Sequence, residues 1–347
     1  MRAVVVGGGA IGCAATALLA AQGVDVVLLT RSAERRQELR MAQRIELRGD
    51  VTASGGPVRV EGTFEATAGA DVIFVCVQSA GHEAVAASLA PHLQSGQAVL
   101  IFSGLAGSLL FARAWRHRPD ILLGETATPP CSARLVGPGV VQVRMRTRLR
   151  AAAFPACRTV ELLARVPAGI PLHPAIHVLD VALHHPNLIV HPLPMLLNYA
   201  AIERTDGALS LMNEGMTARI VAAMDAHDAE RVAVLRALGV DALPLDAVYR
   251  EFGGSPEVYR QPGEPMGIRD RIHWRYVDED VPYGIVLIAS VGRLVDVPTP
   301  ISDAVITLAS VVRGVDFWAQ GRTAERLGLA GLSAGRLRTY LVEGTMA

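Results

Sequence analysis

A glycine-rich turn between an apolar strand and a helix begins the chain, and it limits the fold more than any other feature. Residues 3–6 are apolar, residues 14–22 are small and helix-forming, and residues 24–29 are a second apolar run. The turn between strand and helix has the spacing G-x-G-x-x-G, which binds a dinucleotide pyrophosphate at the helix N-terminus. We therefore expect cofactor contacts from this turn at Gly7, Gly9, Ala10, Ile11 and Gly12.

The end of the second strand predicts which dinucleotide binds. An NAD site usually has Asp or Glu here, to accept hydrogen bonds from the ribose hydroxyls. This chain instead has Thr30, Arg31 and Ser32, with Arg35 following. A guanidinium and hydroxyls bind a 2′-phosphate, whereas a carboxylate would repel it. The pattern favours NADP(H), with NAD(H) as the alternative; a solvated helix start is the reading without a function.

Three further apolar runs, at residues 72–76, 98–102 and 121–124, continue the strand–helix alternation. The carboxyl ends of such strands face the cofactor in a doubly wound sheet. The polar residues expected there are Gln78, Ser79, His82, Glu125 and Thr126. Turn residues at 129–130 and 136–139 predict an antiparallel addition to this sheet, and residues 157–165 predict the last helix of the domain.

Beyond Pro174 strand patterns become scarce and helical periodicity dominates. Long helices are predicted at residues 216–238 and 300–312, with loops at 253–256 and 261–265. The predicted fold is α/β: a Rossmann dinucleotide-binding domain at residues 1–168, then an all-α domain at residues 169–347. The cleft between two such domains is the expected active site.

The polar run at residues 184–198 is the main candidate for chemistry in the second half. It places three histidines and three prolines in an apolar, helix-prone region. Pro192 disfavours a continuous helix through His191, so the imidazole is expected at a backbone break. A core histidine beside a proline kink is the alternative without a function. A metal site built from neighbouring histidines lacks any supporting motif, so none is expected.

Composition excludes several classes of function. The chain has 33 basic and 33 acidic residues, so net charge favours neither nucleic acid nor a membrane surface. Every basic residue is arginine, which excludes a lysine acid, base or Schiff base. Four scattered cysteines without a CxxC pair predict a reducing, cytoplasmic environment, and no apolar stretch has the character of a membrane span.

The sequence resembles the octopine/nopaline dehydrogenase family, the opine dehydrogenases, over its whole length. The resemblance is carried by the glycine-rich start and by motifs throughout the chain: Gly124-Glu125-Thr126 with Arg134, His191-Pro192-Leu193-Pro194 with Leu197-Asn198, Asn213-Glu214-Gly215, Arg275-Tyr276 with Glu279-Asp280, Val297-Pro298-Thr299-Pro300, Asp316-Phe317, Gly321-Arg322-Thr323 and Leu327-Gly328-Leu329. The segments around His191 and Arg275 are the most specific of these motifs.

This resemblance implies a two-domain plan like that of the 6-phosphogluconate dehydrogenase superfamily, and a reaction. Family members join the amine of an amino acid to a 2-oxo acid through an imine that a nicotinamide cofactor reduces. The matched catalytic trio is His191, Arg275 and Asp280. Amino-acid specificity is not carried over, because relatives place a cysteine where this chain has Ala133, with Cys131 nearby.

Two other functions share the predicted fold. One is an NADPH-dependent imine or 2-oxo acid reductase related to ketopantoate reductase, although such enzymes typically use a lysine. The other is a non-catalytic NADP-binding sensor, which needs no His–Arg–Asp trio. The expected partners are therefore small molecules, an amino acid and a 2-oxo acid, rather than nucleic acid or membrane; a homodimer is retained as a candidate assembly.

Overall fold

The computed structural model describes residues 1–55, 58–116, 118–260 and 274–345. The chain divides into two compact units, residues 1–182 with 339–347 and residues 183–338. Strands are confined to the first unit, among the residues that the structure describes. The twelve strands are β1 (Arg2–Val6), β2 (Asp25–Leu29), β3 (Ile45–Gly49), β4 (Ala53–Gly55), β5 (Arg59–Glu61), β6 (Val72–Val75), β7 (Ala98–Phe102), β8 (Leu122–Thr126), β9 (Cys131–Gly137), β10 (Val140–Met145), β11 (Leu149–Ala153) and β12 (Leu172–Pro174).

Helices lie between the strands in the first unit and make up most of the second. They are α1 (Ala10–Ala21), α2 (Ala33–Ala42), α3 (His82–Leu89), α4 (Gly107–Ala114), α5 (Thr159–Arg165), α6 (Val178–Leu183), α7 (Asn187–Val190), α8 (Pro192–Leu197), α9 (Tyr199–Arg204), α10 (Ala218–Ala237), α11 (Leu245–Glu251), α12 (Glu257–Arg260), α13 (Arg275–Asp278), α14 (Val286–Leu294), α15 (Pro300–Arg313), α16 (Phe317–Gln320) and α17 (Ala334–Glu343). Short 3-10 turns lie at Phe64–Thr67, Ser79–Gly81, Ala90–His92 and Ala156–Arg158, and a π-helical turn lies at Val281–Ile285.

The main sheet has eight strands in the order β12-β11-β8-β7-β6-β1-β2-β5. The run from β5 to β8 is parallel, and β11 pairs antiparallel to β8. β1 is central, and strands that were predicted from apolar runs lie on both sides of it. Because the chain leaves β1 towards one edge and returns to β6 on the other side, the loops after β1 and β6 diverge at the position where such sheets bind dinucleotides.

The turn predicted at residues 136–139 joins two antiparallel strands, but these belong to a second sheet and not to the main one. The two strands, β9 and β10, join β3 and β4 in a separate sheet of order β4-β3-β10-β9. The reason is the composition of α1, which is buried around almost its whole circumference. One sheet can cover only one side of a helix, so apolar side chains of the second sheet, such as Leu47 and Val143, complete the same core.

The division into units follows Ala182, whereas the sequence prediction placed the domain boundary after residue 168. Two contacts keep the intervening segment with the first unit: β12 pairs with β11, and Arg150 binds Asp180 at 3.1 Å. The chain terminus also returns to this unit, where Tyr340 packs edge-on against Phe154. Such long-range pairings are not visible as a change in sequence pattern.

The second unit is built from helices and loops, as the periodicity beyond Pro174 predicted. The two long predicted helices are α10 and α15, and the turn predicted at residues 253–256 follows α11. The loop predicted at residues 261–265 lies outside the described residues. Among the residues that the structure describes, no helix is both long enough and apolar enough to cross a membrane.

Candidate active site

His191 occupies the break between α7 and α8 in the second unit. α7 ends at Val190 and α8 begins at Pro192, so the chain is interrupted at the residue where the prolines predicted it. Pro192 has no amide hydrogen and is tolerated in a helix's first turn, where that hydrogen would have no intrahelical acceptor. The His191 amide donates to the Asn187 carbonyl, and its own carbonyl accepts from the Met195 amide.

A carboxylate binds one edge of the His191 imidazole. The His191 Nδ1 atom lies 2.8 Å from the Asp280 Oδ2 atom, and the two side chains are 10% and 8% exposed. Because an ionised carboxylate only accepts hydrogen bonds, Nδ1 carries the hydrogen and the neutral ring has its lone pair at Nε2. No hydrogen bond joins Nε2 to another described residue, so this is the ring atom that can exchange a proton with a bound molecule.

Tyr276 lies against the flat face of the same imidazole. The two ring centroids are 3.8 Å apart and the ring planes differ by 15°. Tyr276 belongs to α13, four residues before Asp280, so one short segment contacts the histidine on both its face and its edge. The sequence analysis named Tyr276 only as part of a motif. The sign of a role in the sequence was its position between Arg275 and the acids at residues 278–280.

Arg275, the third matched residue, is not joined to this pair. Its side chain is 58% exposed and its Nε lies 3.1 Å from Glu279, one turn further along. The segment that carries it is held in place by Asp278, which binds the Arg313 guanidinium at 2.8 and 2.9 Å. The structure therefore brings together two of the three predicted catalytic residues and leaves the third as an exposed cation on the same segment.

A buried arginine supports the segment that precedes His191. Arg231 is 1% exposed, and its guanidinium donates to the carbonyls of Leu183 and Leu243 and to Asp228. The Leu243 amide in turn donates to His184. Sequence reasoning missed Arg231; its spacing of three residues from Asp228 was the available signal, since the two lie on the same face of a helix.

The glycine-rich turn of the first unit has the shape that a dinucleotide requires. Gly7 has φ +121°, and a Cβ there would lie 2.4 Å from the Cys76 carbonyl oxygen. A Cβ at Gly12 would lie 1.7 Å from the Gly7 oxygen, whereas a Cβ at Gly9 would meet nothing within 4 Å. Gly9 precedes α1, with Ala10 and Ile11 in the half-buried first turn. The open side at Gly9 and the free helix N-terminus fit a pyrophosphate.

The arginines after β2 have different surroundings. Arg31 is exposed, and its side chain makes no hydrogen bond or ion pair with any described residue. Arg35 donates from Nε to the Gly8 carbonyl at 2.9 Å and pairs with Glu38, and its amide donates to Ser32 at the start of α2. Thr30 is 8% exposed and contacts Gly8 closely enough that a Cβ there would lie 2.8 Å from its Oγ1 atom.

Four of the five polar residues predicted at the carboxyl ends of the strands are buried. Gln78 is exposed, but Ser79, His82, Glu125 and Thr126 are each at most 4% exposed. Glu125 and Thr126 make contacts within the first unit. Glu125 accepts from the amides of Ala106 and Ser108 and from the Ser108 hydroxyl, and Thr126 donates to the Thr128 carbonyl. Their assignment to the cofactor therefore remains a prediction.

The histidines near His191 have contacts typical of a packed interior. His177 accepts from the Asp180 amide, His185 from the Asn187 amide and His184 from the Leu243 amide. Within the described ranges no group of three or more His, Cys, Asp or Glu side chains has an arrangement that would hold a metal ion. Burial lowers the pKa of His227 in α10 to about 4, so this histidine is neutral at physiological pH.

Two family models match the chain. The model described as the alpha-helical domain of NAD/NADP octopine/nopaline dehydrogenase matches residues 174–313, and the ketopantoate reductase PanE/ApbA model matches residues 3–155. With the parallel sheet, the glycine-rich turn and the helical second unit, these matches define an NAD(P)-dependent oxidoreductase.

Individual relatives specify the family. An opine dehydrogenase from Arthrobacter sp. (strain 1C) is 34% identical over 282 residues, which is 78% of either chain. An octopine dehydrogenase solved with NADH and agmatine has a TM-score of 0.77 at 19% identity over 99% of this chain and 98% of that one. A yersinopine dehydrogenase with NADP+ bound has a TM-score of 0.69 at 14% identity over 99% and 98%. The chain belongs to the octopine/nopaline dehydrogenase family. It is an opine dehydrogenase: it joins an amino acid to a 2-oxo acid by NAD(P)-dependent reductive condensation.

Proposed function

We propose that the chain uses NADPH for this reaction, with His191 as the acid–base group. The amine of the amino acid adds to the carbonyl carbon of the 2-oxo acid, forming a C–N bond. The resulting carbinolamine loses its hydroxyl group as water and gives an imine. A nicotinamide dinucleotide held at the glycine-rich turn by Gly7, Gly9 and Gly12 would supply a hydride to the imine carbon, and the product would be an N-(carboxyalkyl)amino acid.

The His191–Asp280 pair is the observation that supports this proposal. Addition and loss of water each need a proton moved near neutral pH, and histidine is the side chain suited to that range. With Nδ1 bound to Asp280 at 2.8 Å, the ring presents Nε2 as the atom that takes a proton from the amine and returns it to the leaving hydroxyl. The carboxylate stabilises the imidazolium that exists between these two transfers.

Arg275 is assigned to the carboxylate of the oxo acid. Its side chain is 58% exposed and, among the described residues, is bound by Glu279 alone, a contact that an incoming carboxylate can replace with a bidentate pair. Because α13 carries both Arg275 and the tyrosine on the His191 ring, a carboxylate at Arg275 would be bound by the same segment that orients the histidine. Arg275 would therefore orient the carbonyl for attack and for hydride transfer.

Preference for NADPH rests on Arg31. It is an exposed guanidinium without a partner among the described residues, at the end of β2 where an NAD site carries an acid. Thr30 and Ser32 supply neighbouring hydroxyls, while Arg35 is bound to the Gly8 carbonyl of the glycine-rich turn. Structural relatives have been solved with NADH and with NADP+ bound.

An NADPH-oxidation screen tests the reaction. Each amino acid is paired with pyruvate, glyoxylate or 2-oxoglutarate, and each component is also omitted in turn. We expect turnover only when amine and oxo acid are both present. His191→Asn should slow it by roughly 10²–10⁴-fold, the usual contribution of general acid–base catalysis, with NADPH affinity unchanged. His185→Asn, six residues before His191 and also directly before a proline, is the matched control and should keep activity.

Three results would contradict the proposal or part of it. Oxidation of NADPH with the oxo acid alone, or with a preformed cyclic imine alone, would favour the imine or 2-oxo acid reductase. Tight NADPH binding without turnover for any pair would favour the sensor. Full activity in His191→Asn would refute the catalytic assignment while leaving the reaction class intact.

A further inference from the structure

The His191 imidazole is contacted on two sides that constrain different motions. Its Nδ1 edge meets Asp280 at 2.8 Å, and its flat face meets Tyr276 with 3.8 Å between ring centroids and 15° between planes. His191 is 8% exposed, and Tyr276 is half-buried. The near-parallel arrangement covers one face of the histidine ring with the phenol ring.

One hydrogen bond does not define the plane of a histidine ring. The torsion that turns the imidazole about its Cβ–Cγ bond is broad, and a carboxylate accepts over a wide range of angles. A ring held only at Nδ1 can therefore rock about that contact, and Nε2 on the opposite edge moves the most. A flat ring against its face removes this rocking motion.

We propose that Tyr276 is the positioning residue for His191, holding the plane of the imidazole so that Nε2 keeps one direction. This inference rests on the proposed role of His191 as the acid–base group, and it assigns to Tyr276 its ring and not its hydroxyl. The tyrosine acts through the histidine and takes no part in proton transfer.

The position of Tyr276 in the chain gives this contact a second consequence. Arg275 directly precedes it in α13, and that segment is held by the Asp278–Arg313 pair and by the Arg313 guanidinium 5.0 Å from the centroid of the Trp274 ring. A movement of α13 towards or away from a substrate carboxylate at Arg275 would thus be transmitted to the imidazole. The geometry points to a segment that orients the acid–base group and the substrate together.

Nuclear magnetic resonance of protein labelled with ¹³C at histidine Cε1 tests the contact without any substrate. The His191 signal is identified by its loss in His191→Asn. A stacked aromatic ring shifts the proton resonance of its neighbour upfield, so we expect an upfield His191 signal in the wild type and in Tyr276→Phe. In Tyr276→Leu the signal should move downfield towards the other histidines. Tyr249→Leu, a half-buried tyrosine packed on Phe252 and Tyr259, is the matched control.

Kinetics of the same variants test the positioning role. An aromatic pair contributes about 0.5–1.5 kcal/mol beyond its buried area, which corresponds to roughly two- to tenfold in rate. Tyr276→Leu should therefore lose about two- to tenfold in kcat, with the NADPH Kd unchanged, and Tyr276→Phe should remain within twofold of the wild type. Thermal unfolding of each variant establishes that it is folded.

Each contrary outcome has one meaning. If the His191 signal has the same position in Tyr276→Leu as in the wild type, the stacked contact is refuted, whatever the substrates are. If Tyr276→Leu moves the His191 signal but leaves kcat unchanged, the positioning role is refuted. If Tyr276→Phe is as slow as Tyr276→Leu, the hydroxyl acts chemically, and the positioning role is refuted as well. Stacking observed in a protein that turns over no amine and oxo acid pair refutes the proposed function and leaves the contact established.

Discussion

Gly284 sets the distance between the two segments that carry His191 and Asp280. It lies in the π-helical turn Val281–Ile285, four residues after Asp280. It is buried against Leu188 of α7, three residues before His191. A Cβ at Gly284 would lie 2.1 Å from the Leu188 Cδ2 atom. Carbon atoms pack at roughly 3.5–4.0 Å, so Gly284→Ala requires about 1.5 Å of additional space.

The size of the effect follows from this shortage of space. Leu188 is 0% exposed, so its side chain has no solvent to move into and part of the displacement passes to α7 and the π-helical turn. Overpacking of this kind costs about 1–3 kcal/mol of stability. A shift of 1 Å between groups that act together can reduce a rate by about a hundredfold. We therefore expect Gly284→Ala to lower kcat by about ten- to a hundredfold, because the 2.8 Å contact between His191 and Asp280 is stretched.

The assay compares Gly284→Ala, Leu188→Ala and the double variant by kcat and by thermal unfolding. Leu188→Ala removes the atom that the new methyl group meets, so the double variant should recover much of the activity lost in Gly284→Ala. Gly335→Ala is the matched control, because a Cβ at Gly335 would meet nothing within 4 Å. Additive losses in the double variant would refute this reasoning, since residues that do not interact show additive effects.

Three further predictions concern the cofactor, the catalytic pair and pH. Arg31→Ala should weaken NADPH binding by about ten- to a hundredfold, equivalent to a charge-assisted contact of roughly 1.5–3 kcal/mol, and leave the NADH Kd nearly unchanged; equal losses for both cofactors would mean that Arg31 is structural. Asp280→Asn should reduce kcat by about ten- to a hundredfold without changing the NADPH Kd, because the imidazolium loses its counter-charge. An unaltered kcat would contradict the pairing of His191 with Asp280. In the unfolded chain His227 takes up a proton near its ordinary pKa of about 6.5, whereas in the folded chain it does so only near pH 4. The contribution of neutral His227 to the free energy of unfolding is therefore complete above pH 6.5 and is lost as the pH falls from there towards 4. His227→Gln should therefore flatten the fall in Tm across that window, and an equally steep fall in the variant would exclude His227 as its cause.

Several features were predictable because short stretches of sequence determine them. The strand, the glycine-rich turn and the helix occur in the predicted order, although α1 begins at Ala10, four residues before the predicted start. The break at His191 was predictable from Pro192 alone, because the restriction that proline imposes acts on its immediate neighbour. The helical second unit followed from periodicity, which is also a local property.

The roles of buried polar groups could not be predicted in this way. Glu125 was expected near a cofactor because it follows the strand predicted at residues 121–124, and the pattern gave no sign of the three hydrogen bonds that its carboxylate accepts at the start of α4. The second sheet was missed for a related reason. A short strand such as β4 has too few residues to show alternating hydrophobicity. Its pairing with β3 depends on the side of α1 that the main sheet leaves uncovered.

The partners of the three acids at residues 278–280 are determined by the tertiary structure and not by the sequence alone. From the sequence, one of these acids was expected to bind and orient a histidine, and the resemblance to the family's motif favours Asp280. Composition and spacing by themselves do not distinguish the three acids. In the folded chain each has a different basic partner: Asp278 binds Arg313, Glu279 binds Arg275, and Asp280 binds His191, which lies 89 residues away. Successive residues on a helix point about 100° apart, so consecutive acids face different neighbours. Which neighbour each one meets is decided only when α8, α13 and α15 pack together.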